Sequence, residues 1–118
     1  MLMAAHQDQK MAEIFRLQAE LCKSLADPKR LMIIHILRDG ARSVNELANA
    51  LGLKQSNTSQ HLAVLRKTGI VRPQRRGNTV YYRLAIPRIA SACDLVRQVI
   101  AEELQKNQDL SEVIQGAR

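Results

Sequence analysis

Residues 43–69 read SVNELANALGLKQSNTSQHLAVLRKTG, and the order of signals in this stretch decides the fold. Ser43 followed three positions later by Glu46 is a capping box, in which each side chain satisfies a free backbone N–H of the other. It opens a short helix through about Leu51. Gly52 stops that helix, because glycine readily takes the left-handed conformation that ends one. A longer helix is expected from about Gln55 to Thr68, closed by Gly69. A short helix, a three-residue turn and a longer helix outline a helix-turn-helix. Thr58, Leu62 and Leu65 fall on one side of the second helix. Gln55, Ser56, Asn57, Ser59 and Gln60 are left at its N-terminal end.

Working outward toward the N-terminus, Asp27-Pro28 marks another helix start. The Asp carboxylate accepts from free backbone N–H groups, and Pro has none to satisfy at the first helical position. The helix should run from Pro28 to about Arg38, with Leu31, Ile34 and Leu37 on one side, and end at Asp39-Gly40. Before it, Met11, Ile14, Phe15, Leu17, Leu21 and Leu25 recur at helical spacing, which predicts an amphipathic helix from about Asp8 to Ala26.

Beyond Gly69 the periodicity changes from helical to alternating. Thr79–Leu84 places Val80, Tyr82 and Leu84 on one face and Thr79, Tyr81 and Arg83 on the other, so it reads as a strand. Residues 70–75 can pair with it, and Pro73, lacking an N–H, makes that strand an edge. Arg76-Gly77-Asn78 is the expected turn. The product is a two-stranded ribbon with arginines near its tip. A last helix should begin at Pro87, with Ile89, Cys93, Val96 and Ile100 in a stripe that Ala92, Leu95 and Val99 widen. The expected organisation is one mainly α winged-helix domain over residues 8–103. A polar tail over 104–118 is expected to be frayed or weakly helical.

The charge pattern points to the partner. Between Leu47 and Cys93 there are 47 residues without an Asp or Glu and with eight Lys or Arg. Lys54, Arg66, Lys67, Arg72, Arg75, Arg76 and Arg83 alone account for the net charge of +7, since elsewhere eleven basic residues face eleven acidic ones. Such segregation attracts a polyanion. One Phe, two Tyr and no Trp argue against a base-stacking surface for single strands and favour double-stranded DNA. The amides can pair with adenine, the hydroxyls with bases or phosphates, and the helix N-terminus with phosphate. Lys67 should reach the DNA backbone, and Arg75, Arg76 and Asn78 should form a wing that tracks the minor groove.

The stretches Leu25-Ala26-Asp27-Pro28-Lys29-Arg30-Leu31, Ser43-Val44-Asn45-Glu46-Leu47-Ala48, Ser59-Gln60-His61-Leu62 and Thr79-Val80-Tyr81-Tyr82-Arg83-Leu84 resemble the ArsR/SmtB family of winged-helix transcriptional repressors. The likeness runs from about Leu21 to Ile100. It implies a homodimer held by the first and last helices, bound to an inverted-repeat operator and released by an inducer whose identity the sequence leaves unknown. It also places His61 on the recognition helix, in a structural or phosphate-contacting role. The family usually has Ser or Thr where this chain has Lys54 before that helix.

The resemblance allows metal sensing to be tested position by position. One family site uses thiols in the first helix of the helix-turn-helix, where this chain has Ser43, Asn45 and Ala48. Another uses Asp and His on the last helix, where it has Ile86, Arg88, Val99 and Glu102. Neither set suits a metal, so no metal or other cofactor is expected. His6 and His35 are isolated, His35 reading as a packed or edge residue. Cys22 and Cys93, on the first and last helices, read first as core residues. The alternatives, if the two sulfurs meet, are a thiol switch responding to oxidation or persulfide and the binding of a thiophilic metalloid, for which two thiols are one short of a three-sulfur set.

The rival reading from another class is a winged-helix protein-interaction module whose basic face takes an acidic partner. An enzyme is not expected, because no nucleophile elbow, phosphate loop or carboxylate cluster occurs. No apolar run reaches the roughly 20 residues of a membrane span, and the N-terminus is too short and polar for a signal peptide. A cytoplasmic protein with free thiols is expected.

Overall fold

The computed structural model describes residues 2–116. In chain order the elements are α1 (Leu2–Leu25), α2 (Pro28–Leu37), β1 (Arg42–Ser43), α3 (Val44–Leu51), α4 (Gln55–Lys67), β2 (Val71–Arg76), β3 (Thr79–Leu84) and α5 (Arg88–Gly116). They divide into two compact units, one through Ile86 and one from Pro87.

In the first unit, the starts of α2 and α3 carry the chemistry their sequence announces. Asp27 caps α2, its side chain accepting from the backbone N–H groups of Lys29 at 2.9 Å and Arg30 at 3.1 Å. Ser43 and Glu46 make both bonds of the capping box at the start of α3. Gly52 ends α3 with φ +66°, a conformation a β-carbon would strain. Lys54 precedes α4 without a side-chain cap, which leaves the first N–H groups of that helix unclaimed by any side chain there. Thr58, Leu62, Leu65, Ile33, Leu47, Ile70 and Val71 are all completely buried and form the core with Ile34, Leu37, Leu51 and Leu84. Leu31 is only half-buried, whereas Ile33, outside the expected inward set, is completely buried. His35, by contrast, is exposed.

The sheet has three strands in the order β1-β3-β2, all antiparallel. The two-residue β1 pairs Arg42 with Tyr82 and Ser43 with Tyr81. It anchors the wing to the start of α3, because Ser43 is both its last residue and the α3 cap. β2 is an edge strand, which accommodates Pro73.

The hairpin is one residue out of step with the sequence expectation. Ile70 is not in the strand, since its N–H bonds back to Leu65 O at 3.0 Å and completes the end of α4. Arg76 is not in the turn but pairs with Thr79, leaving a two-residue loop of Gly77 and Asn78. Gly77 has φ +62° and no non-glycine residue among those described has positive φ, the pattern of a hairpin turn with glycine first.

α1 begins six residues before the expected Asp8, carried by Leu2, Met3, Ala4 and Ala5, all good helix formers. The second unit is α5. It starts one residue after Pro87 and continues without a break through the segment set apart as a tail, to Gly116. Ala117 and Arg118, the end of that expected tail, lie outside the described residues.

Candidate nucleic-acid interface

The buried triad of Thr58, Leu62 and Leu65 fixes which way α4 faces. With these at 0% exposure, Gln55, Ser56, Asn57, Ser59 and Gln60 are all exposed. Thr58 is tied down further by its hydroxyl, which donates to Lys54 O at 3.0 Å. A cleft of about 420 Å³ joins this end of α4 to the start of α3 and the wing tip, lined by Asn45, Gln55, Asn78, Thr79 and Tyr82 among others. Asn45 and Thr79 therefore join Gln55 and Asn78 on one polar surface. Neither carried a local signal of this role, since only the sheet register brings Thr79 to the helix-turn-helix.

Lys67 stands apart from that surface. It lies at the opposite end of α4, some 18 Å from Gln55 at 1.5 Å per residue. There it lines a second cleft of about 430 Å³ with Arg66 and Arg72.

The register also separates the two wing arginines. Strand neighbours point to opposite faces. Arg76 shares a face with Gln74, Arg72, Tyr81 and Arg83, whereas Arg75 shares one with Val80 and Tyr82. Arg76 holds its guanidinium 5.2 Å from the centre of the Tyr81 ring, which braces it at the tip. Arg72 lies directly across from Arg83, and both are exposed. Like charges so placed repel one another unless an anion sits between or beside them.

His61 is the predicted site residue whose surroundings differ most from an open DNA face. Its side chain is 22% exposed and its Nδ1 lies 3.3 Å from Arg30 Nη1 and 3.7 Å from Asp27 Oδ2. The Asp27 carboxyl sits below its ordinary pKa. Its partial burial opposes ionisation, but the Arg30 N–H, the His61 ring, the Lys29 N–H and the Arg30 charge together outweigh that. Lys29 reaches across to donate to Leu51 O at 3.0 Å, closing the end of α3. The two cysteines form no disulfide: Cys22, expected in the core, is instead exposed on α1, and Cys93 is buried on α5. Among the described residues no three His, Cys, Asp or Glu side chains are grouped so as to hold a metal ion, and no helix is long and apolar enough to cross a membrane.

A helix-turn-helix with a basic antiparallel wing and a polar, outward-facing second helix is the architecture of DNA-binding transcriptional regulators. Residues 27–72 match the family described as bacterial regulatory protein, arsR family. The uncharacterized HTH-type transcriptional regulator Rv0081 of Mycobacterium tuberculosis is 42% identical over 92 residues, spanning 77% of this chain and 81% of that protein. Its crystal structure superposes with a TM-score of 0.72, covering 80% of this chain and 95% of the other. The transcriptional activator HlyU of Vibrio cholerae is 36% identical over 85 residues, 72% of this chain and 79% of HlyU. The solution structure of the homodimeric winged helix-turn-helix DNA-binding domain of Mb0332 from Mycobacterium bovis, 33% identical, has a TM-score of 0.74. It covers 82% of this chain and 90% of that domain. This chain belongs to the ArsR family of winged helix-turn-helix transcriptional regulators; its relatives are regulators, not enzymes.

Proposed function

We propose that the protein is a homodimeric repressor that binds an inverted-repeat operator in double-stranded DNA and leaves it when an inducer binds. The observation that carries this reading is the composition of the outward face of α4. Every side chain there from Gln55 to Gln60 is a short amide or hydroxyl, and the one inward residue, Thr58, is fully buried. Gln55, Asn57 and Gln60 present paired donors and acceptors to base edges, Ser56 and Ser59 bond bases or phosphates, and the uncapped helix start accepts a phosphate. Arg75, Arg76 and Asn78 follow the adjacent groove. Lys67 and Arg66 lie at the far end of α4, where they meet flanking phosphate.

Dimerisation is supported by apolar side chains left in the open. α1 exposes Met11, Ile14, Phe15 and Leu17, and α5 exposes Leu95, Val96, Val99, Ile100 and Leu104. A second copy covering these stripes is what the homodimeric relative implies for this chain. The dimerisation function is assigned with DNA binding to residues 8–103, and residues 104–116 extend α5.

Selection from random duplexes followed by measurement of complex stoichiometry tests this reading. A symmetric motif bound by two chains is expected, and a reporter downstream of that motif should fall silent when the protein is present. Activation of the reporter would refute repression while leaving specific binding intact. Binding without sequence preference would favour the rival in which the basic face takes an acidic protein. The thiol alternative for induction rests on Cys22, the accessible sulfur, and on Cys93. Equal operator affinity for reduced, diamide-treated and Cys22→Ser protein would eliminate it.

A further inference from the structure

Arg30 lies where three helices meet, and its bonds reach beyond its own. Its Nε donates to Ser24 O at 2.6 Å, closing the C-terminal end of α1. Its Nη1 lies 3.3 Å from Nδ1 of His61 on α4. A guanidinium only donates, so Nδ1 accepts this bond when the ring is neutral, whereas a protonated ring offers the proton of that same nitrogen to the Asp27 carboxylate 3.7 Å away. Ser24 supplies a second link between the same two helices. The residue is 4% exposed, its hydroxyl donates to Leu21 O at 2.6 Å, and it accepts from Thr68 Oγ1 at 3.0 Å. His61 and Thr68, the residue that caps the end of α4, are seven residues apart, about two helical turns, and so lie along one edge of that helix. The α1–α2 corner therefore grips α4 at two points along one edge.

The hydrophobic triad of α4 alone leaves the helix free to roll slightly about its axis, because dispersion contacts are not directional. The polar grip removes that freedom. Gln60 is adjacent to His61, so a roll that relaxes the His61–Arg30 bond also turns Gln60 away from its bonding direction.

We infer that His61 and Arg30 are positioning residues that fix the roll of the recognition helix, and that they set sequence discrimination without themselves touching DNA. The inference rests on α4 being the reading helix. It also gives α1 a direct route to that helix, since Ser24 O is part of the joint.

The test is a double-mutant cycle on the duplex selected by the wild-type protein, with a scrambled duplex measured beside it. The variants are His61→Leu, Arg30→Gln, their combination, and His61→Asn, whose amide oxygen can take over the acceptor role of Nδ1. His61→Leu and Arg30→Gln should each weaken binding to the selected duplex about tenfold and leave the scrambled duplex within about twofold, a charge-assisted hydrogen bond being at stake. The combination should be no worse than the poorer single variant, and His61→Asn should recover affinity to within about threefold. Equal loss on both duplexes for His61→Leu would overturn the inference by making His61 a phosphate contact. Additive losses, or no rescue by His61→Asn, would overturn it as well. A wild-type protein that selects no duplex would instead refute the proposed reading of α4, and this inference with it. Thermal melting of each variant identifies a simple folding defect, and the His61→Asn comparison decides the matter if His61→Leu melts early.

Discussion

Replacing Arg76 with alanine tests the division between phosphate binding and base reading. Arg76 ends β2, one position from the Gly77-Asn78 turn, and is stacked against Tyr81 with no carboxylate partner among the described contacts. A dimer presents two copies. Each neutralised phosphate contributes about −0.9 to the slope of log affinity against log salt, so a dimer with about eight phosphate contacts has a slope near −7. Raising salt from 50 to 200 mM should then weaken wild-type binding about 10⁴-fold. Losing two contacts brings the slope to about −5.4, and the same salt change should weaken the variant about twelvefold less than the wild type. The folded state should barely notice, because an exposed cation–π contact is worth about 0.5–1 kcal/mol. Fluorescence anisotropy on selected and scrambled duplexes across that salt range measures both slopes. An unchanged slope would show that Arg76 does not meet phosphate, and a loss confined to the selected duplex would show that it reads bases.

Gln60→Ala should relax discrimination at one base pair per half-site, by about 1–3 kcal/mol, with the salt slope unchanged; competition among single-base variants of the selected duplex shows this. Asp27→Ala should cost about 0.5–2 kcal/mol in urea unfolding at neutral pH, because two backbone N–H groups of α2 lose their acceptor. Asp27→Asn keeps an acceptor and isolates the charge. Since the folded carboxyl titrates below its unfolded value of 3.8, the charge contributes fully above that pH. The advantage of wild type over Asp27→Asn should therefore disappear as pH falls through the folded value, and a constant difference between pH 5 and pH 2.5 would contradict the assignment. Arg72→Thr should stabilise the fold by ~0.5 kcal/mol by relieving Arg83, while weakening binding to every duplex; urea melts and anisotropy must move in opposite directions.

Much of this was legible because the chain punctuates itself. The Ser43–Glu46 box, Gly52 and Gly69 bracket α3 and α4, and Thr58, Leu62 and Leu65 sort the faces of α4 before any contact is known. The alternation from Thr79 to Leu84 gave the wing. What stayed hidden has physical reasons. β1 is two residues long, too short for a period to show, yet it sets where Thr79 and Tyr82 lie relative to Asn45. The sequence does not separate a turn beginning at Arg76 from one beginning at Gly77, because Arg suits either a strand or a loop, and Gly77-Asn78 alone suffices for the hairpin. The extra length of α1 comes from intrinsic propensity, and that of α5 carries only scattered apolar residues, Leu104, Leu110, Val113 and Ile114, among polar ones. His61 reads as one more polar residue on the recognition helix. Its engagement with Arg30, 31 positions away, depends on how α1, α2 and α4 pack.

The central claim is that the N-terminal face of α4 lies against base edges of a duplex in two symmetry-related copies. The most direct measurement attaches a DNA-cleaving iron chelate to Ser59→Cys, and to His35→Cys on α2 as a control, each in a Cys22→Ser background. The Ser59 probe should cut the selected duplex at two symmetric positions one helical turn, about 10–10.5 base pairs, apart, and the His35 probe should give no localised cuts. Diffuse cutting from Ser59, or stronger cutting from His35, would contradict the account.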